Sequence, residues 1–389
     1  ANYPSNQFRF RQDSTFLYFF GLNRPDYVGL MDIDSGEETL YGDDYTIDDI
    51  IWMGPQPTLD EQAREVGIGK TLPLSQLGKR IEAAVAKGRK VHFLPPYRGE
   101  TTLQIARLLG LAPERVPLYM AMKMCRPGVV EREIAGAIES IALQHGAGVS
   151  FFSIVSQHGE TLHNHCHEGT LLSGRLMLVD AGAETTMNYC SDFTRTFPVS
   201  GRFTQKQKDV YDIVLAANDR TFSLAGPDSY YYRMHNEASL VIAEGLKSLG
   251  LMRGDMQDAV TVGAQALFIP HGLGHQMGLD VHDMENIGEK YVGYDEQTLR
   301  SSTPGLSSLR MGKRLREGMV ITVEPGIYFI PALIEKWERE GLGGGFIDFA
   351  KVREYLDFGG IRIEDDMLIT SFGNRLLGGN RPPVTTAQI

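Results

Sequence analysis

Apolar positions fall into two patterns along the chain. In the first part, short apolar runs alternate with helical spacing. Phe16–Phe20, rich in aromatics, and Tyr27–Ile33 read as strands, with Asp34-Ser35-Gly36 as a turn. Val91–Leu94 reads as another short strand ending at Pro95-Pro96, and Thr101–Leu111 has helical spacing. From about Val116 the helices lengthen. Met120–Met124 is punctuated by Arg126-Pro127-Gly128, and Glu131–His145 is an amphipathic helix closed by Gly146. Gln205–Leu224 follows Thr204 as N-cap, and His235–Leu249 is a further helix. Strand-like runs at Leu176–Ala181, Asp192–Phe197, Met319–Val323 and Ile361–Ile369 lie far apart, so their sheet is assembled from distant segments. The alternation predicts an α/β (α+β) protein of two domains, 1–115 and 116–389.

Composition narrows the class without changing that outline. Apolar residues at 42% and charged residues at 22% are ordinary for a globular chain and exclude collagen-like, coiled-coil and disordered classes. No apolar run approaches the roughly 20 residues of a membrane-spanning helix. With 38 basic and 49 acidic residues, the net charge of −11 disfavours nucleic acid and anionic membranes as partners and leaves negative charge to bind cations. Three scattered cysteines, Cys125, Cys166 and Cys190, do not make a disulfide framework, and the first residues carry no signal-peptide pattern. A cytoplasmic, reducing location is the expectation.

Chemistry concentrates in the second half. His271-Gly272-Leu273-Gly274-His275 and Val281-His282-Asp283 place three histidines within twelve residues. The four-residue spacing of His271 and His275 suggests a helical zinc motif, but the glycines and the missing Glu argue against a helix. A glycine-rich turn entering an extended run is predicted instead. Four acids sit within or at the ends of apolar strands: Asp180 after Leu176–Val179, Asp192 before Phe193–Phe197, Glu324 after Val320–Val323, and Glu364 within Ile361–Asp366. A hairpin of the first two runs would bring Asp180 and Asp192 together. Burying a lone carboxylate is costly, so four in such positions point to a shared cation site. Four carboxylates carry −4 and two divalent cations +4, with a neutral histidine completing the set. Oxygen-rich ligands with one imidazole suit Mn²⁺ first, then Co²⁺ or Zn²⁺. Two such ions generate a hydroxide at neutral pH and polarise a carbonyl, which is hydrolysis.

Taken in order, several blocks resemble the prolidase and aminopeptidase P family of dinuclear metallopeptidases. They are Phe10-Arg11-Gln12-Asp13-Ser14, Trp52-Met53-Gly54, Leu178–Gly182, Ser191–Phe197, His271–Asp283, Thr322–Gly326 and Gly360–Asp365. The resemblance implies an N-terminal α/β domain with a mixed sheet. It also implies a C-terminal pita-bread catalytic domain, a curved antiparallel sheet flanked by helices. It assigns Asp180, Asp192, His275, Glu324 and Glu364 as ligands of two metals, with Asp192 and Glu364 bridging. Glu324 also matches the acid that takes a proton from the attacking water. His163, His271 and His282 match histidines beside the substrate, and Arg310 matches an arginine that binds a dipeptide carboxylate. Arg362, two residues before Glu364, shares its strand face and is expected to reach the site. His165, His167 and Cys166 are not expected as ligands or nucleophile. The spacing of Asp180 and Asp192 is 12 where the family commonly has 11, so their connecting turn should hold an extra residue.

The implied reaction is hydrolysis of an Xaa-Pro bond, whose nitrogen carries a ring and no N–H. The 39 residues between Glu324 and Glu364 look like a prolidase acting on dipeptides. Aminopeptidase P, which acts on longer peptides, is the alternative. A non-catalytic binding relative and a metal-free creatinase-like enzyme are disfavoured because all five ligand positions are kept. The family also implies a homodimer.

Overall fold

The structure is a computed structural model, described for residues 12, 14–46, 56–93, 108, 121–185, 187–378 and 381–389. Two compact units divide it, Ala1–Leu94 and Pro95–Ile389. The expected boundary at 115 lies outside the described residues, as do Trp52-Met53-Gly54 and most of Thr101–Leu111.

In the first unit helix α1 (Ser14–Phe20) precedes strands β1 (Val28–Asp32) and β2 (Glu37–Tyr41). Helix α2 (Leu59–Glu65), strand β3 (Thr71–Leu72) and helix α3 (Leu77–Ala86) follow. β1 and β2 are antiparallel and β2 and β3 parallel, the mixed sheet expected. Phe16–Phe20 is helical rather than a strand. Phe16 and Phe20 are four apart, so a helix stacks their rings at 5.1 Å and buries Phe20 among Tyr27, Leu40 and Leu59. Residues 91–93 are irregular rather than strand. The β1–β2 turn is held by Asp32, whose Oδ1 accepts the N–H groups of Asp34 and Ser35. Arg89 grips the same carboxylate with both terminal nitrogens, at 2.6 and 2.7 Å, and holds it well below the usual range.

In the second unit residues 121–124 are helical, and helix α4 (Glu131–His145) is followed by strands β4 (Gly148–Val149), β5 (Ile154–Ser156), β6 (Leu176–Ala181), β7 (Ala183–Glu184) and β8 (Phe193–Pro198). Long helices α5 (Gln205–Leu224) and α6 (Tyr231–Ser248) come next, and Thr204 caps α5 as the sequence indicates. The chain closes with strands β9 (Val320–Val323) and β10 (Gly326–Tyr328), helix α7 (Pro331–Arg339), and strands β11 (Gly360–Arg362), β12 (Asp365–Thr370) and β13 (Gly373–Leu376). Among the described residues every strand pairing here is antiparallel.

Side-chain alternation decides what each strand offers. In β6, Met177, Val179 and Ala181 join Ile134 and Ile138 of α4 in one core. Leu176, Leu178 and Asp180 therefore take the opposite face. In β9, Ile321 and Val323 enter the core built on α5 and α6, while Thr322 faces away, followed two residues later by Glu324. The run Ile361–Ile369 is not one strand; it breaks at Ile363 and Glu364. β9–β10 breaks correspondingly at Glu324 and Pro325. Val323 pairs with Asp365 and Gly326 with Arg362, so one register spans both breaks and sets Glu324 opposite Glu364. A bridge between Thr194 and Glu364 ties this ribbon to β8.

A buried brace fixes that tie. Arg195 is fully buried and donates to Asp365 Oδ1 at 2.5 Å and to the carbonyls of Thr194, Glu364 and Pro383. Arg381 takes Asp365 Oδ2 at 2.9 Å. Removing one partner strands a charge in the interior. Asp365→Asn is expected to lower stability by about 3–5 kcal/mol in urea unfolding. A loss within about 0.5 kcal/mol, ordinary for a surface change, would refute the brace.

Candidate metal centre

Five segments converge on one buried cluster. Asp180 comes from the end of β6, Asp192 from the residue before β8, His275 from the glycine-rich turn, and Glu324 and Glu364 from the two strand breaks. The turn lies close against β9: a Cβ on Gly274 would fall 2.3 Å from the Thr322 carbonyl oxygen. Only glycine lets His275 donate its N–H to Thr322 Oγ1, at 3.1 Å, without moving the strand. The Asp180–Asp192 connection holds Asn188 in the left-handed region (φ 65°).

Asp192, His275 and Glu364 place ligand atoms within 4.8 Å of one another, a group able to hold a metal ion. His275 Nδ1 meets the Gln276 carbonyl at 3.0 Å, which aims Nε2 inward, 3.5 Å from Asp192 Oδ2 and 3.6 Å from Glu324 Oε1. Burial lowers the His275 pKa to about 3, so the ring is neutral and able to coordinate. Asp180 Oδ1, Asp192 Oδ1 and Glu364 Oε1 are buried with no hydrogen-bond partner among the described residues.

The acids carry more negative charge than the protein offsets. Burial, then the charges of Glu364, Asp180 and others, raises Asp192 well above its usual range. Glu364 is raised by burial and then by Glu324 and Asp180. Glu324 is pushed up to about 7 by burial, with Arg362 opposing the shift and Asp180 adding to it. Unpartnered acceptors, carboxyls driven toward protonation and an inward imidazole fit divalent cations.

Hydroxyls support the acids. Thr194 Oγ1 donates to Glu364 Oε2 at 2.6 Å and accepts from Arg362 Nε at 3.1 Å. Thr322 Oγ1 donates to Glu324 Oε1 at 3.3 Å. Sequence reading missed both threonines, although Thr194 follows Asp192 by two and Thr322 precedes Glu324 by two, the spacing of one strand face. It also missed the role of Tyr328, whose hydroxyl lies 2.9 Å from His271 Nε2 and accepts from Arg362 Nη1 at 3.0 Å. No short-range pattern marks that tyrosine.

The remaining expected residues take distinct places. Arg362 reaches the cluster but is 4% exposed, and its third donor, Nη2, pairs with Asp180. Its donors therefore serve Asp180, Thr194 and Tyr328 rather than an open surface. His271 Nδ1 meets the Gly272 carbonyl at 2.7 Å, and burial brings its pKa to about 3. The His282 ring packs edge-on against His275 at 4.2 Å, and its Nδ1 lies 3.3 Å from Glu285. His163 is lowered by burial and by the charge of Arg362. Arg310 pairs with Glu285 and Glu289. His165 and His167 flank Phe152 instead of joining the acids.

Buried acids around an inward histidine form a centre able to hold divalent metal. The chain belongs to metallopeptidase family M24, matched over residues 115–371, and residues 1–92 match the aminopeptidase P N-terminal domain. Human Xaa-Pro dipeptidase is 30% identical over 95% of this chain and 81% of its own length. Escherichia coli Xaa-Pro aminopeptidase is 28% identical over 96% of this chain and 86% of its own. Among solved structures, Pseudomonas aeruginosa aminopeptidase PepP is similar at TM-score 0.58 and 25% identity, covering 98% of this chain and 88% of its own. Zinc-substituted E. coli aminopeptidase P in complex with product is similar at TM-score 0.55 and 25% identity, covering 97% and 88%.

The raised Glu324 has a signed consequence in metal-stripped protein. A carboxyl raised from 4.5 to about 7 binds its proton more tightly folded than unfolded. Its stabilisation is full below pH 4.5 and is lost as pH rises through about 7. Metal-stripped Glu324→Gln should therefore gain on metal-stripped wild type between pH 5 and pH 8, by on the order of 2–3 kcal/mol. Paired urea titrations at the two pH values check this; a gap that narrows or reverses would refute it.

Proposed function

We propose that this protein is a dinuclear metallopeptidase that hydrolyses Xaa-Pro dipeptides. The observation that carries the reading is the cluster of buried carboxylates with unpartnered oxygens around His275. Asp180, Asp192, His275, Glu324 and Glu364 would hold two divalent ions, Mn²⁺ before Co²⁺ or Zn²⁺. When bound, such ions supply a hydroxide at neutral pH and polarise the scissile carbonyl. Glu324, with an oxygen 3.6 Å from His275 Nε2, is the base that takes the water proton and returns it to the leaving proline nitrogen. His163 and His282 line the substrate side, where an N–H stabilises negative charge developing on the carbonyl oxygen, whereas His271 has both ring nitrogens engaged, by the Gly272 carbonyl and the Tyr328 hydroxyl, and holds that hydroxyl in place. Arg362 acts from behind the acids: it orients Asp180 and the Tyr328 hydroxyl.

The dipeptide preference rests on two features. Arg310 is 34% exposed, and its fork suits the terminal carboxylate of a dipeptide. The segment between Glu324 and Glu364 is long enough to fold α7 and to pack Phe329 against Tyr355 and Phe358. The solved neighbours favour a second reading, aminopeptidase P activity on longer peptides. A cytoplasmic homodimer that recovers proline from small peptides fits both readings, and among the described residues no helix is long and apolar enough to cross a membrane.

Chelated enzyme should be inactive and regain activity with Mn²⁺. Restored enzyme should cleave Ala-Pro in preference to Ala-Pro-Ala. Preference for the tripeptide would favour the second reading. No cleavage of either by metal-loaded protein would refute both. Asp192→Asn and His275→Ala should each lower bound metal in elemental analysis.

A further inference from the structure

Glu285 lies outside the expected site, yet it touches two of the residues placed on the substrate side. Its Oε2 is 2.6 Å from Arg310 Nη1 and 3.3 Å from His282 Nδ1. Glu289 Oε1 approaches the same Arg310 nitrogen at 3.1 Å, while its other oxygen is held by Arg300 at 2.6 Å. One guanidinium thus faces two carboxylates, and Arg300 relieves only Glu289. Glu285 shares its oxygen with the His282 imidazole but with no second guanidinium among the described residues, and it is the closer counter-charge on Arg310. Burial opposes the charge on Glu285, but His282 and Arg310 outweigh it and hold the carboxyl below its usual range. Both acids use Nη1, and among the described residues Arg310 Nε and Nη2 make no hydrogen bond. A carboxylate arriving on that open edge meets no steric block from Glu285, but it does meet its negative charge.

We propose that Glu285 sets the specificity of the Arg310 clamp: it positions the guanidinium with Nη1 held and Nε and Nη2 open, and its charge competes with the terminal carboxylate of the dipeptide. The proposal rests on the reading of Arg310 as that clamp. Glu285 is then a positioning residue that limits affinity for dipeptides and links their carboxylate to His282 through a single oxygen. Its effect should fall on binding of the charged terminus rather than on bond cleavage.

The test is steady-state kinetics of metal-loaded enzyme on Ala-Pro and on Ala-Pro amide, which lacks the terminal charge. Wild type should favour Ala-Pro, and Arg310→Gln should abolish that preference. Glu285→Gln should lower KM for Ala-Pro by about threefold to tenfold, the size of a partly exposed charge effect. It should leave KM for the amide unchanged and alter kcat equally for both substrates. Glu289→Gln should do less, because Arg300 shares that carboxylate. Glu285→Asp keeps the charge and should keep the wild-type KM ratio, which a purely structural role would not predict. If Arg310→Gln removes the preference but Glu285→Gln leaves the KM ratio unchanged, the proposal falls and the clamp stands. If wild type shows no preference and Arg310→Gln changes nothing, the clamp reading itself fails and takes the proposal with it.

Discussion

Mutual repulsion among Asp180, Asp192, Glu324 and Glu364 is the constraint around which the second unit is built. Four carboxylates share an interior in which, among the described residues, Arg362 is the one guanidinium paired directly with an acid of the set, through Asp180. Desolvation and like charge together drive Asp192, Glu324 and Glu364 toward protonation. An apolar core would be more stable in their place, so the arrangement makes sense only if something cationic completes it. The family's metal dependence supplies that cation. The threonine hydroxyls are too few to do so: Thr194 satisfies one oxygen of Glu364 and leaves the other without a donor.

The backbone holds the repelling groups by interrupting strands. A continuous β9–β10 ribbon paired with a continuous β11–β12 ribbon would give two acids on ladder positions with no freedom to turn inward. Breaking both at the same register keeps them opposed while releasing the peptide groups on either side. Ile363 N–H still reaches the Pro325 carbonyl at 3.2 Å, and Glu364 N–H turns to the Thr194 carbonyl at 3.1 Å. The proline at 325 suits this place because its missing N–H needs no ladder partner. Next to the break, Arg195 ties Asp365 to β8, so the repulsion is opposed by a separate ion pair outside the cluster.

Much of this was legible in the sequence because burial and strand period leave direct marks. A charge ending Leu176–Val179 has to be explained, and the other three acids show themselves in the same way, while His275 is marked by its glycine-rich, histidine-rich segment. The N-cap Thr204 and the terminator Gly146 are local chemistry and fall where expected. Phe16–Phe20 misled because five aromatic and apolar residues satisfy either period, and only packing against Tyr27 and Leu40 selects the helix. The break inside Ile361–Ile369 was hidden because Glu364 itself reads as one polar residue in an apolar strand. Tyr328 and Glu285 were invisible for a different reason. Their partners, Arg362 and Arg310, are 34 and 25 residues away and are brought near only by the fold.

Arg310 and Arg362 show how one residue type is given two tasks by its surroundings. Arg362 is 4% exposed and meets Thr194, Tyr328 and Asp180 with separate nitrogens, so its fork is fully committed and its charge is fixed in place. In such a low-dielectric setting its field acts strongly on each neighbouring acid. Arg310 is 34% exposed and gives one nitrogen to two carboxylates, which leaves part of the fork uncommitted. Solvent screens it, so a neighbouring charge changes its affinity for a ligand by a modest factor. On the proposed reading, chemistry and selectivity are thereby separated. The buried arginine is tied to the acids that would hold the metals, where any change is costly, and the exposed one stands where a single carboxylate such as Glu285 can be altered without disturbing those acids.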